Sequence, residues 1–103
     1  SSNIVLGFNN TTAGNYNHLS GNNNSIIAGN SNMLHGQNNI INSGSSISLL
    51  GINNTASANY AAAIGNGNVV YYQSAVALGQ NNKDSGWASI TGGVEKVLGN
   101  NGQ

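Results

Sequence analysis

Tyr60-Ala61-Ala62-Ala63-Ile64-Gly65-Asn66-Gly67-Asn68 and Ser74-Ala75-Val76-Ala77-Leu78-Gly79-Gln80-Asn81-Asn82 are two copies of one unit, set 14 residues apart. In each, a run of small apolar residues ends at a Gly, and an Asn follows three positions later. Working outward, the same Gly recurs as Gly7, Gly21, Gly36, Gly51, Gly65, Gly79 and Gly93, in steps of 14 or 15. Asn10, Asn24, Asn39, Asn54, Asn68 and Asn82 follow the first six of these glycines. A short, strict period of this kind is the mark of a solenoid, in which every coil stacks on the next.

A second series, Gly14, Gly29, Gly44 and Gly86, lies half a coil away, with Ala58 and Tyr72 in its missing places. Punctuation every seven or eight residues is too close for stable helices and suits a strand of about five residues plus a turn. Gly and Asn accept positive φ with least strain, so they belong at the corners. Alternation across a strand then assigns faces. Before each first-series Gly, one face holds Val5, Leu19, Leu34, Leu49, Ala63, Ala77 and Thr91. The other holds Ile4/Leu6, His18/Ser20, Met33/His35, Ser48/Leu50, Ala62/Ile64, Val76/Leu78 and Ile90/Gly92. Toward both ends of the array the two faces are largely apolar, so both need cover. The second strand of each coil turns Thr12, Ile26, Ile41, Ala56 and Val70 inward. It shows Thr11/Ala13, Ser25/Ile27, Ile40/Asn42, Thr55/Ser57 and Val69/Tyr71 to water. Leu19 against Ile26, and Leu34 against Ile41, predict a thin core. Seven coils make a rod about 30 Å long, a shape that is marginal alone. Association through Ile4, Leu6, Leu50, Ile64, Val76, Leu78 and Ile90 is the predicted remedy, and a homo-oligomer the predicted state.

The chain has 103 residues, no net charge and no Cys. Its four charged residues all lie late, at Lys83, Asp84, Glu95 and Lys96. There is no electrostatic case for nucleic acid or an anionic membrane, and no apolar run of about 18 residues to span a bilayer. The two carboxylates, Asp84 and Glu95, are read as outside the regular repeats. No G-x-S-x-G elbow occurs, and Gly65-Asn66-Gly67 is a repeat corner without the Lys-Ser/Thr of a phosphate loop. The expectation is a non-enzymatic protein with no catalytic residue, cofactor or metal. Asn10, Asn24, Asn39, Asn54, Asn68 and Asn82 are expected to be structural, their amides stacked along the rod. His18 and His35 fall on one outer face in neighbouring coils. In a trimer they would form a polar layer around the axis, and a metal there is poorly supplied without Cys or an early carboxylate. Tyr60, Tyr71 and Tyr72 are candidates for ligand contact. Phe8 and Ile52 are expected to form an apolar spot on one edge.

Ser74-Ala75-Val76-Ala77-Leu78-Gly79 and Tyr60-Ala61-Ala62-Ala63-Ile64-Gly65 resemble the S-V-A-I-G repeats of trimeric autotransporter adhesin heads of the YadA-like kind. Asn3-Ile4-Val5-Leu6-Gly7 and Ser25-Ile26-Ile27-Ala28-Gly29 are looser copies. The resemblance implies an all-β, left-handed parallel β-roll of about seven coils, assembled as a homotrimer. It implies a roll over residues 1–93, with 94–103 a terminal coil or the start of a neck. It also implies display on a bacterial cell surface, beyond an outer-membrane anchor, and binding to a host extracellular-matrix or cell-surface protein or to another bacterial surface. His18, Ser20, Met33 and His35 depart from the family's apolar pattern. A trimeric viral or phage fibre segment shares this logic. Asn17-x-Leu19-x-Gly21, Asn24-x-Ile26-x-x-Gly29, Asn32-x-Leu34-x-Gly36 and Asn39-x-Ile41-x-x-Gly44 resemble the half-coils of the ryegrass ice-binding family, also a left-handed roll but monomeric. That likeness covers residues 17–44 well. Ice binding wants a flat ladder of small hydroxyl residues, and the wet face read above is irregular for it. The adhesin head is therefore the leading expectation and ice binding the alternative.

Overall fold

The computed structural model describes residues 2–98. Long and short strands alternate along the chain. The long ones are β1 (Ile4–Phe8), β3 (His18–Asn22), β5 (Met33–Gln37), β7 (Ser48–Ile52), β9 (Ala62–Asn66), β11 (Val76–Gln80) and β13 (Ile90–Val94). The short ones are β2 (Thr11–Thr12), β4 (Ser25–Ile26), β6 (Ile40–Ile41), β8 (Thr55–Ala56), β10 (Val69–Val70), β12 (Lys83–Asp84) and β14 (Val97–Leu98). The long strands form a first seven-stranded parallel sheet in chain order, and the short strands a second. The molecule is thus an all-β parallel β-roll, measuring 37 × 20 × 13 Å. The roll runs on through β13 and β14, across the boundary drawn at residue 93; residues 99–103 of the expected terminal coil or neck lie outside the described residues.

Equivalent residues stack rung on rung. Gly7, Gly21, Gly36, Gly51, Gly65, Gly79 and Gly93 are in register along the first sheet. At Gly36 the φ is 127°, and a Cβ there would lie 2.0 Å from the Gly51 carbonyl oxygen. Two residues on, Asn9, Asn23, Asn38, Asn53 and Asn81 take the left-handed conformation that turns the chain into the second sheet. The opposite corner uses the same device at Tyr16, Ser31, Ser46, Tyr60, Ser74 and Ala88. Where a step is 15 residues, the extra one sits in this second corner. Six residues separate β4 from β5 and β6 from β7, against five between β2 and β3, and the pairing of both sheets is undisturbed.

The interior is one side chain thick on each side. Leu19, Leu34 and Leu49 from the first sheet meet Ile26 and Ile41 from the second, all buried. Further along the rod the inward residues shrink to Ala56, Ala63 and Ala77, with Val70 between. The outer face of the first sheet changes in the opposite sense. It carries His18, Ser20 and His35 over the Leu/Ile coils, and Ile64, Val76 and Leu78 over the Ala coils.

Asp84 is in the repeat, contrary to the expectation from sequence. It pairs with Val70 and takes the inward position of the second sheet, fully buried. Its Oδ1 accepts from the Gly86 N–H at 2.9 Å and from the Ser89 hydroxyl. The carboxylate thereby ties down a corner that has lost its Asn. The chain keeps the inward position but fills it with a polar group, so an apolar pattern could not find it.

Candidate functional site

Two side-chain arrays dominate the surface, and each is set by the sheet beneath it. On the second sheet, Thr11, Ser25, Ile40, Thr55 and Val69 form one outward row through direct strand pairing. A parallel row, Ala13, Ile27, Asn42, Ser57 and Tyr71, is aligned because each backbone N–H donates to the inward residue of the next coil, as in Ala13 to Ile26 and Ser57 to Val70. Neighbours lie about 4.8 Å apart along the rod, and the rows about 6.6 Å apart across it. Side chains within the rows also bond to each other. The Thr11 hydroxyl donates to Ser25 Oγ at 3.2 Å, and Asn42 Nδ2 to Ser57 Oγ at 3.1 Å. The array is uncharged until Lys83, which enters the first row after Val69.

What makes this surface rigid is the ladder of corner amides under its edge. Asn24, Asn39, Asn54, Asn68 and Asn82 are buried, and Asn10 half-buried. Each Oδ1 accepts the backbone N–H of the same position one coil on, from Asn24 to Asn10 through Lys96 to Asn82, at 2.9–3.1 Å. Each Nδ2 donates to the carbonyl four residues earlier and to the Gly of the next coil. A second ladder, unread in the sequence, runs through the opposite corner from Asn3 to Asn17 to Asn32 and ends on the Ile47 N–H. Ala61, Ala75 and Ser89 take its later places. It is too short to register as a period.

Seven residues read as an interface, Ile4, Leu6, Leu50, Ile64, Val76, Leu78 and Ile90, share the outer face of the first sheet. Leu6 is 57% and Leu78 40% exposed, while Leu50 and Val76 are half-buried. His18 and His35 lie on that face in adjacent strands. The three tyrosines divide. Tyr71 belongs to the second row of the second sheet, while Tyr60 and Tyr72 are exposed along the neighbouring corner, one coil apart. Phe8 and Ile52 make no common spot: they occupy one row of the first sheet but are separated by Asn22 and Gln37. Among the described residues there is no group of three or more His, Cys, Asp or Glu side chains placed to hold a metal ion.

Fold and surface together define a parallel β-roll that presents ordered, nearly uncharged side-chain arrays. The family model described as the grass antifreeze beta roll matches residues 2–100, and the chain belongs to that family. No curated protein matches it. The assignment overturns the adhesin-head reading and, with it, adhesion at a host or bacterial surface as the function. The likeness at Ala61-Ala62-Ala63 and Ala75-Val76-Ala77 has a plain cause: Ala61, Ala63, Ala75 and Ala77 are all buried, at the corner and in the interior of narrow coils. Leu49 holds the place of Ala63 one coil earlier, so the Ala-rich copies are a local choice of core residue within one roll and not a family signature. The family match takes in residues 17–44, where the half-coil resemblance was read, and runs well beyond them on both sides.

Proposed function

We propose that this protein binds ice, without catalysis, through the outer face of the second sheet. The observation that carries this reading is the register-locked row Thr11, Ser25, Ile40, Thr55 and Val69 beside Ala13, Ile27, Asn42 and Ser57, in a chain of the antifreeze roll family. Ice offers a flat, neutral, repeating surface. Complementarity to it requires small methyl and hydroxyl groups held at fixed spacing, and the fixed spacing avoids an ordering cost on contact. The irregular members, Ile27 and Asn42, are held in the same plane by the same backbone bonds, so side-chain identity varies on a regular frame. The reading goes with an extracellular location, where freezing water is first met. The test is ice shaping and inhibition of recrystallisation by the intact chain. Thr55→Lys, in the middle of the array, should abolish both while the far-ultraviolet circular dichroism stays unchanged. Gln37→Lys, at mid-length on the first sheet, should leave both intact. Wild-type chain that neither shapes ice nor slows recrystallisation overturns the function. Loss in Gln37→Lys but not in Thr55→Lys overturns the choice of face.

Self-association through the aliphatic part of the first sheet, with further copies of the chain covering Leu50, Ile64, Val76 and Leu78, is proposed alongside it. The supporting observation is the trade noted above, with Ile64, Val76 and Leu78 outside where the long strands turn only Ala63 and Ala77 inward, and Leu50 continuing their row. Sedimentation equilibrium should give a multiple of the 10.4 kDa chain mass, reverting to one chain in Leu78→Arg. A wild-type monomer removes the proposal.

A further inference from the structure

Coils two and three replace the aliphatic outer rows of the first sheet with four other side chains. His18 is opposite Met33, and Ser20 opposite His35. Alternation puts all four on the same outward face. Met33 therefore sits about 4.8 Å from His18 across the strand gap and two residues from His35 along its own strand. The two histidines lie on the diagonal, about 8 Å apart, within joint reach of long side chains. Ser20 Oγ and His35 Nδ1 are hydrogen-bonded. The bond engages one ring nitrogen, Nδ1, the second-shell arrangement that orients an imidazole for metal binding through its other nitrogen. His35 and Met33 are exposed and His18 half-exposed, so an ion has access.

The chemistry of the donors selects the ion. No carboxylate precedes Asp84 in the chain, which leaves nothing here for calcium or magnesium. Two imidazoles are borderline donors that suit copper or zinc, and the soft thioether tips the set toward copper in its reduced, univalent form. We propose that His18, Met33 and His35 form a surface site for one Cu(I) ion per chain, with Ser20 as a positioning residue for His35. The site stands apart from the array on the second sheet and does not depend on ice binding.

Met33 is the only methionine, and the chain has no cysteine to compete. Titration of the intact chain with Ag(I), a redox-silent stand-in for Cu(I), should therefore move a single methionine methyl resonance and both imidazole signals, saturating at one ion per chain. Cu(I) held anaerobically against a chelator should give the same order of affinities among variants. His18→Ala and His35→Ala should each weaken binding roughly tenfold or more, and Ser20→Ala less. Met33→Leu should weaken Ag(I) by a similar factor and leave the weaker Zn(II) binding unchanged. All four positions face outward, so circular dichroism should show the variants folded. Ag(I) affinity that is equal in wild type and the His18→Ala/His35→Ala double variant overturns the site. An affinity unmoved by Met33→Leu overturns the soft-ion assignment.

Discussion

Asn39 shows what a single residue contributes. Its backbone N–H and Nδ2 both donate to Asn24 Oδ1 at 3.1 Å, Nδ2 also donates to the His35 and Gly51 carbonyls, and Oδ1 accepts from the Asn54 N–H at 3.0 Å. Three coils meet in one buried amide. Asn39→Ala would leave the Asn54 N–H and the Gly51 carbonyl without these partners inside the roll. Each orphaned group costs about 1–3 kcal/mol, so a loss of at least about 2 kcal/mol is expected in thermal or denaturant unfolding. Asn39→Asp keeps the acceptor but sets a carboxylate against two carbonyl oxygens, and should be worse than Ala at neutral pH. An Asp variant more stable than the Ala variant would show that the corner needs only the acceptor. The G-x-N-N spacing made this ladder legible because all six rungs are filled. The opposite ladder stayed hidden because Ile47, Ala61, Ala75 and Ser89 interrupt it, and Asp84 stayed hidden because it fills an apolar position with a charge-bearing group.

At the scale of the strand and corner, the two sheets are unequal for a local reason. The long strands run through Gly, whose φ of 108–128° lets the strand bend into the corner without ending. The short strands stop at the second corner after two paired residues. That corner is where the chain tolerates variation: it takes five residues or six, and glycine at 14, 29, 44 and 86 but Ala58 and Tyr72 between them. The faces could be read from alternation, including the inward set from Leu19 to Val70, since a one-residue slip would reverse every side chain. The edge spot at Phe8 and Ile52 failed because the number of intervening rungs was left out of the reading. Deleting exposed Ala28 shortens the β4–β5 connection from six residues to the five found between β2 and β3. Connections of this kind accept length change, so the variant should unfold within about 1 kcal/mol of wild type, consistent with a surface change outside any special feature. Deleting Ile26 instead should abolish folding. Equal losses in the two would show that the second corner also sets register.

The whole molecule behaves as a row of coils, each touching its neighbours alone, so its stability is close to a sum of coil and interface terms. The Gly period was sufficient to read this shape; the adhesin reading failed because two Ala-rich coils cannot distinguish families that share a packing solution. A row of this kind can be lengthened without redesign. Residues Thr55–Asn68 are one 14-residue coil, and a second copy placed after Asn68 would pair with the first in both sheets and hand on to Val69. It adds one rung of the Asn ladder and one Thr/Ser pair to the outer face of the second sheet, extending the rod by about 4.8 Å. Both stability and ice activity should rise, read as a higher unfolding midpoint and stronger recrystallisation inhibition at equal molar concentration. Removing the same 14 residues should lower both. The two readouts separate fold from function. A duplicate that is more stable but no more active means that the added Thr and Ser never meet ice, and the active surface is then elsewhere on the roll. A duplicate that is less stable means that the Ala56, Ala61 and Ala63 interior is sustained by its Leu- and Ile-rich neighbours, and lengthening should use the coil from Ile40 to Asn54 in its place.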